Sequence, residues 1–477
     1  MPALPAAGKV SDARFTTGST MRHVLVMAST GSIGLVAIFL VDFANLFYIS
    51  LLGDPVLTAA VGYAGVVLYF HMSFCVGLMI AAVALTSRAL GAGDKAGARR
   101  VATSALTLVA AITVVLTLVS LPFIDGSLAL LGATGRTKDI AAGFMLIALP
   151  TTPLLGLSMC LIGLLRSIGD AKRSMYTTLI LGLVTAVLDP LLIYGLGLGV
   201  NGAAIVMVIS RFLTFAYAMF VVIRVHELIT WPKLSVVAAD FMPLARIGFP
   251  AVLTNIATPV SNGFVTAEIA SFGDHAVAGW TIVARVVPVA FGVLFALSGA
   301  VGPIIGQNYG AKAFDRVRQT IVDSMILTAG YTLIVAAILF LSRHGIVDIF
   351  GASGEDAALV LFFCQFLAIS YIFTGGLFVA NAAFNNLGYP VLSTLFNWGK
   401  ATLGTIPFVW AGAQLGGAEG VLAGFAIGSV PFGIAALIVC RRIIDRLGAQ
   451  SGRVAGLGSW WSALAGAHRH RPANAQP

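Results

Sequence analysis

Charged residues are scarce in this chain of 477 residues: 10% of the total, against about a quarter in an ordinary soluble domain. Hydrophobic residues make up 58% and the mean hydropathy is +0.97. Such a chain has too little polar surface to cover itself in water, so lipid is expected to solvate most of it. Cysteine is nearly absent. The four present, Cys75, Cys160, Cys364 and Cys440, form no CxxC pair and sit beside no histidine at ligand spacing. That excludes a disulfide framework and a Cys/His metal centre, and leaves four small packing residues. There is no GxxxxGK[ST] loop to hold a nucleotide phosphate, and no HExxH, GxSxG or soluble catalytic segment. Direct use of ATP and hydrolytic chemistry are therefore not expected, nor is a cofactor or a metal. Strand-like alternation is also lacking, which excludes a β-barrel.

The charge that is present is one-sided. The net +9 comes from 28 Lys and Arg against 19 Asp and Glu. Once the apolar runs are laid out, 22 of the 28 cations fall in alternate loops and in the two tails. Only Arg136, Lys138 and Arg343 fall on the other side, while Arg211, Arg285 and Lys400 lie within runs. This asymmetry follows the positive-inside rule and predicts both termini in the cytoplasm of a cell with this protein in its plasma (bacterial inner) membrane. A basic face interleaved with stacking aromatics is missing, so nucleic acid is not a predicted partner. The first apolar run is too long for a signal-peptide core and is expected to be retained.

Twelve apolar runs of spanning length are bounded by charged or Gly/Pro turns. The first six cover about 22–51, 56–87, 101–124, 140–165, 175–196 and 202–223. The second six cover about 244–271, 276–305, 320–341, 357–384, 391–413 and 420–439. The turns repeat. Gly53-Asp54 returns as Gly273-Asp274, Gly91-Ala92 as Gly310-Ala311, Gly169 as Gly388, and Asn201-Gly202 as Glu419-Gly420, at offsets of 218 to 220. The predicted fold is all-α: a polytopic membrane protein with twelve transmembrane helices in two six-helix lobes. Each half has an even number of spans, so the lobes are related by a pseudo-two-fold axis along the membrane normal, with a cavity between them. The expected organisation is a cytoplasmic tail over 1–21, lobes over 22–225 and 244–440, a linker on the inner surface over 226–243, and a basic tail over 441–477.

Two acids stand inside this frame. Asp42 is the only charge between His23 and Gly53. A carboxylate in such a run costs ~2.5–3.5 kcal/mol on insertion scales and normally marks an ion or proton pathway; the bland alternative is a packing residue bonded to a hydroxyl or to Asn45. Asp189 lies at similar depth in the fifth run and precedes Pro190, so it could cap a restarted helix as well as bind an ion. The repeat places Asn262 opposite Asp42 and Pro407 opposite Asp189. The frame is duplicated and the acid pair is not, which assigns the pair a coupling role in the first lobe. With no ATP site, an ion gradient must supply the energy. Glu268 is expected at the rim, and His71 either relays protons or is a bonded core histidine. Arg211, Arg285 and Lys400 are expected to pair with acids or face the cavity. Tyr48, Tyr63, Phe70, Trp280 and Trp398 are candidates to hold organic cations by their ring faces, although in-span aromatics more often face lipid or a neighbouring helix.

VDFANLFYISLLGDPVLTAAVGYA, SRALGAGDKAGARRV, GLLRSIGDAKRSM, LDPLLIYGLGLGVNGAAIVMVISR, RIGFPAVLTN and IIGQNYGAKAFDRVRQ occur in this order. With them, the chain from Arg22 to Val439 resembles the multidrug and toxic compound extrusion (MATE) transporters. The resemblance implies a secondary antiporter that exports organic cations and other amphiphiles in exchange for H+ or Na+ by alternating access. It implies that Asp42 and Asp189 bind the coupling ion, with Asn45, Thr185 and Arg211 as neighbours. Tyr48, Tyr63, Phe70, His71, Glu268 and Trp280 are candidates for the substrate cavity, and the protein is expected to act as a monomer in lipid. Members coupled through the second lobe keep an acid in the tenth span, which this chain lacks; that favours protons bound in the first lobe. The family often has Asn one turn before the fifth-span Asp, where this chain has Thr185, and the proline often seen early in the first span is missing. The runner-up is a lipid-linked oligosaccharide flippase of the same broad architecture, which would show a strongly basic cavity. A membrane-embedded enzyme would need clustered polar motifs in the inner loops, which offer only Gly, Ala and Arg/Lys.

Overall fold

A computed structural model describes residues 13–450, apart from the side chains of Asp42, Phe43, Leu46, Phe47, Ser50 and Pro55. The described residues are almost all helical, with no strand among them. In chain order the helices are α1 (Thr20–Ser50), α2 (Pro55–Gly91), α3 (Lys95–Ser120), α4 (Ile124–Leu130), α5 (Gly135–Ala148), α6 (Thr152–Ser167), α7 (Ala171–Pro190) and α8 (Gly199–Phe220). The second half holds α9 (Leu234–Ala270), α10 (Asp274–Ala290), α11 (Gly292–Gly310), α12 (Phe314–Phe350), α13 (Gly354–Phe362), α14 (Tyr371–Leu387), α15 (Pro390–Ala401) and α16 (Ile406–Gln450). The turns supply the caps that start them: Asp54, Asp94 and Asp170 accept the backbone N–H of Val56, Gly97 and Arg173 at 3.0, 2.7 and 3.1 Å, satisfying donors that a helix N-terminus leaves unpaired.

Among the described residues, ten helical stretches are long and apolar enough to cross a membrane, and α10 with α11, bent by 47°, makes an eleventh. The twelfth is hidden in the last stretch, Pro390–Gln450. Within α16 the backbone leaves helical geometry at Gly416 and Gly417, the latter at φ 58° and ψ −141°. The chain then returns alongside itself. A Cβ placed on Gly412 would lie 2.0 Å from the carbonyl oxygen of Gly420, one on Gly424 2.1 Å from that of Phe408, and one on Gly404 2.7 Å from that of Gly428. These pairs run antiparallel, so the stretch is two spans meeting along a glycine seam, where small residues let backbones touch.

The lobes are interlocked at the end that carries the loops between α2 and α3, α6 and α7, and α11 and α12. There the first helix of each half packs into the other half's core. Val24, Met27 and Ala28 of α1 join a cluster built from α11, α12, α14 and α16, and Leu244 and Ile247 of α9 join one built from α2, α3, α6 and α8. The contact is reciprocal, as two-fold symmetry requires. A Cβ on Gly91 would stand 1.9 Å from the Gln307 carbonyl oxygen, and one on Gly310 would stand 2.1 Å from that of Arg88. Arg88 donates through Nε and Nη2 to the carbonyls of Asn386 and Asn385, each at 2.8 Å. Gln307 Nε2 donates to the Ser167 carbonyl at 2.7 Å, and the Thr20 hydroxyl donates to Asp323. At the opposite end the cores are separate: one draws only on residues of the first half, and two draw only on the second. The protein is shut at its basic end and parted at the other.

The segment between the halves is shorter than the 226–243 expected, because α9 begins at Leu234. Asp240, in what was read as linker, is buried on α9, where it accepts from Ser104 at 2.7 Å and pairs with Arg100 at 3.3 Å. The remaining residues, 226–233, are tied to the first lobe: His226 Nε2 lies 2.8 Å from Asp170 Oδ2, and the Thr230 N–H donates to Thr103 at 3.0 Å. Trp231 is 93% exposed. The four cysteines are buried and free.

Candidate functional site

Asp189 comes eighteen residues after the start of α7, about 27 Å along the axis and well past mid-membrane from the basic end. Pro190 follows within the helix, and the next five residues, Leu191–Gly195, form a wider π-helical turn. The cause is local: proline brings no N–H and its ring crowds the preceding turn, so the regular i to i−4 pattern cannot continue. Helix irregularity of this kind at membrane depth survives only where protein or a wet cavity covers it, and π-turns recur at functional sites.

The Asp189 carboxyl is buried, with 1% of the residue exposed. Asn45 of α1 donates through Nδ2 to its Oδ2 at 2.7 Å. Its Oδ1 is buried with no hydrogen-bond partner among the described residues. A buried carboxylate with one bare oxygen is costly unless a proton or small cation completes it. Thr185, one turn earlier, spends its hydroxyl on the Leu181 carbonyl at 2.9 Å. The bond from Asn45 thus links the first span to the fifth-span acid. Asp42 lies on α1, but its side chain is outside the described residues.

Arg211 is buried on α8, and its recorded partners are Thr151 Oγ1 at 2.6 Å and the Ala148 carbonyl at 3.2 Å. It thus satisfies the carbonyl freed where α5 breaks into the short turn before α6, and makes no recorded contact with Asp189. His71 is a bonded core histidine, 3.0 Å from both the Val67 carbonyl and the Ser120 hydroxyl. Tyr48 and Tyr63 pack against the first lobe's outer core, and the Tyr194 hydroxyl donates to the Tyr48 carbonyl. Phe70 is 43% exposed. Glu268 sits in the last turn of α9, where its carbonyl accepts from Ser271. Trp398 donates to the Leu253 carbonyl at 3.0 Å, and Arg285 lies on α10.

Trp280 is the cavity candidate that the structure places at a cavity. This cavity of about 250 Å³ lies mostly in the second lobe, among α9, α10, α11, α14, α15 and α16, with Phe39 of α1 on its wall. Asn262, the repeat counterpart of Asp42, lines it, as do Tyr371, Asn397, Lys400, Phe425 and Ser429. Trp280 donates to Thr266 at 2.8 Å and meets Phe425 edge-on, with centroids 6.4 Å apart. Of the two places expected for Lys400, beside an acid or facing a cavity, the structure shows the second, while Phe425 and Tyr371 carry no sequence signal. Nothing in a linear pattern distinguishes an aromatic facing a cavity from one facing lipid.

A bundle of twelve spans in two lobes, locked at one end and parted at the other, with a buried acid at a helix break, has the build of a transporter and not of an enzyme. The MatE family model matches residues 32–191 and again 250–410; the second match thus begins 218 positions after the first and ends 219 after it. The chain belongs to this family of multi-pass membrane transporters. Among curated relatives, it is 26% identical over 431 residues to a protein of Shewanella oneidensis named FAD transporter, covering 89% of this chain and 95% of that one. It is 25% identical over 410 residues to the multidrug export protein MepA of Staphylococcus aureus, covering 84% and 89%. Among solved structures, a Pyrococcus furiosus transporter described as having a binding pocket of reverse polarity superposes with a TM-score of 0.86 at 22% identity, over 92% and 99% of the chains. A mutant of the Vibrio cholerae MATE transporter VcmN superposes at 0.85 and 23% identity, over 89% and 96%. The fold is that of the MATE transporters.

Proposed function

We propose that the protein is an ion-coupled exporter of amphiphilic organic compounds, working by alternating access, with Asp42 and Asp189 binding the coupling ion and the proton as that ion. It acts as a monomer in the bacterial inner membrane with its basic end and both termini in the cytoplasm, so the shut end faces the cell interior. The observation that carries this reading is Asp189: a carboxyl buried in the first lobe beside a broken helix turn, held by one amide, with its second oxygen open to a proton. Thr185, where the family often has Asn one turn before this acid, offers a hydroxyl in place of an amide oxygen, which favours the proton over sodium.

A proton shifts the lobes between two states only as far as it binds one of them better. Protonation of the first-lobe acids removes charge from a buried site and lets the π-turn repack. A cationic group on the cargo would compete for those acids. The relatives' names span multidrug export and FAD transport, so they support export and leave the charge of the cargo open. Asp189→Asn and Asp42→Asn, each reconstituted in vesicles, are expected to fold, to lose at least nine-tenths of gradient-driven efflux, and to release no protons on substrate addition. Wild-type efflux driven by a sodium gradient alone, or normal efflux by either variant, would overturn the assignment.

A further inference from the structure

The Asp189 site and the cavity at Trp280 differ in charge. The first buries Asp189, and the second-lobe cavity carries Lys400 with no acid among its described lining residues. Lys400 Nζ stands 5.6 Å from the centroid of the Phe425 ring, and no hydrogen bond or ion pair to it is recorded among the described residues. The other polar side chains among the described lining residues are neutral, and several are engaged. Ser429 donates to the Ala426 carbonyl, and Asn397 spends its amide nitrogen on Asn381 and Ser393. Asn262 keeps a side-chain amide with no recorded partner, at the position where the first lobe has Asp42. Trp280, Tyr371 and Phe425 supply ring surface.

We infer that this cavity binds an anionic aromatic compound: a ring system seated among Trp280, Tyr371 and Phe425, with a phosphate or carboxylate on Lys400 and the Asn262 amide. The ammonium carries three donors and no acceptor, and the ring faces one side of it only. A lone cation in a low-dielectric wall focuses a field that attracts anions and repels cationic cargo. The cavity walls are apolar apart from these few groups, as in small-molecule sites generally. Coupling to a proton in the other lobe then runs through the equilibrium between the two lobe arrangements, with no competition at a shared acid. The inference relies on the export reading only in treating the bound compound as cargo.

Flavin mononucleotide and riboflavin share one ring system and differ by a phosphate, and both are fluorescent. Binding of each to the full chain in lipid nanodiscs is expected to favour the mononucleotide at least tenfold. Lys400→Gln is expected to reduce mononucleotide binding to the riboflavin level while leaving riboflavin within twofold, which also shows that the variant is folded; Lys400→Arg should retain most of the preference. Equal binding of the two flavins, no measurable mononucleotide binding, an unchanged preference in Lys400→Gln, or tighter binding of a cationic dye of similar size would each overturn the inference. Asp189→Asn is expected to bind the mononucleotide normally, so failure of the proton assignment and failure of this one are read separately.

Discussion

Asn45 on α1 donates to Asp189 on α7 at 2.7 Å, across 144 positions of sequence. The bond ties the first span to the helix break of the fifth, so a change in ionisation of one side chain is felt by two helices. Hydrogen bonds to charged groups are worth ~1.5–3 kcal/mol. Asn45→Leu leaves Asp189 with no recorded donor, and efflux by the reconstituted variant is expected to fall about tenfold at the neutral pH where wild type is active. An unchanged rate would remove Asn45 from the coupling site.

The seam at the basic end tolerates no added atom. Gly310→Ala would place its Cβ 2.1 Å from the Arg88 carbonyl oxygen, backbone that cannot swing away. Overpacking costs about 1–3 kcal/mol, enough to move the lobe equilibrium about tenfold toward states parted at this end. A cysteine introduced at Ser87, buried in this seam, should react several-fold faster with a soluble thiol reagent in the Gly310→Ala background. The four native cysteines are buried, so the background is low.

Asp170 holds the junction between the lobes through its α7 cap, an ion pair with Arg173 at 2.7 Å and the His226 contact. Burial works to raise this carboxyl, but hydrogen bonds from His226 and Arg173, together with the Arg173 charge, outweigh it and hold it well below the usual carboxylate range. A depressed native value means the stabilisation is fully present above the unfolded value of about 3.9 and is lost only as pH falls below it. Asp170→Asn is therefore expected to lower thermal stability by about 3 kcal/mol at pH 7, with the gap to wild type beginning to narrow only below about pH 4. A gap constant with pH would refute the charge as its source.

Gly417 turns the last helical stretch back on itself at φ 58° and ψ −141°, a region essentially restricted to glycine and worth about 1–3 kcal/mol of strain for other residues. Gly417→Ala is expected to lower the midpoint of thermal unfolding in detergent by several degrees. Gly416→Ala, at φ −147°, should change it little. Equal effects would mean that the fold-back does not depend on left-handed backbone.

Much of this architecture could be read without coordinates. Twelve runs, their turn residues and the repeat at 218 to 220 positions follow from hydrocarbon thickness and from the need for glycine and capping acids at turns, constraints that act locally along the chain. The fold-back at Gly416 and Gly417 falls in the gap between the runs 391–413 and 420–439, a few residues before the repeated turn Glu419-Gly420. An acid stranded in an apolar run is equally legible, because its cost is set by the solvent around the run and not by its neighbours.

Side-chain partners were decided only by the fold. Asn45 turned to Asp189, four spans further along the chain, and Arg211 went to a carbonyl freed by a helix break. Lys400 took its place in a cavity whose rings come from helices of both halves. Periodicity tells which residues share a face, but which helix that face meets depends on how the two lobes interlock. The sequence by itself thus determined the membrane frame and the acids it must protect. Tertiary structure alone decided which end is shut, which oxygen stands open, and which side chains meet at the cavity.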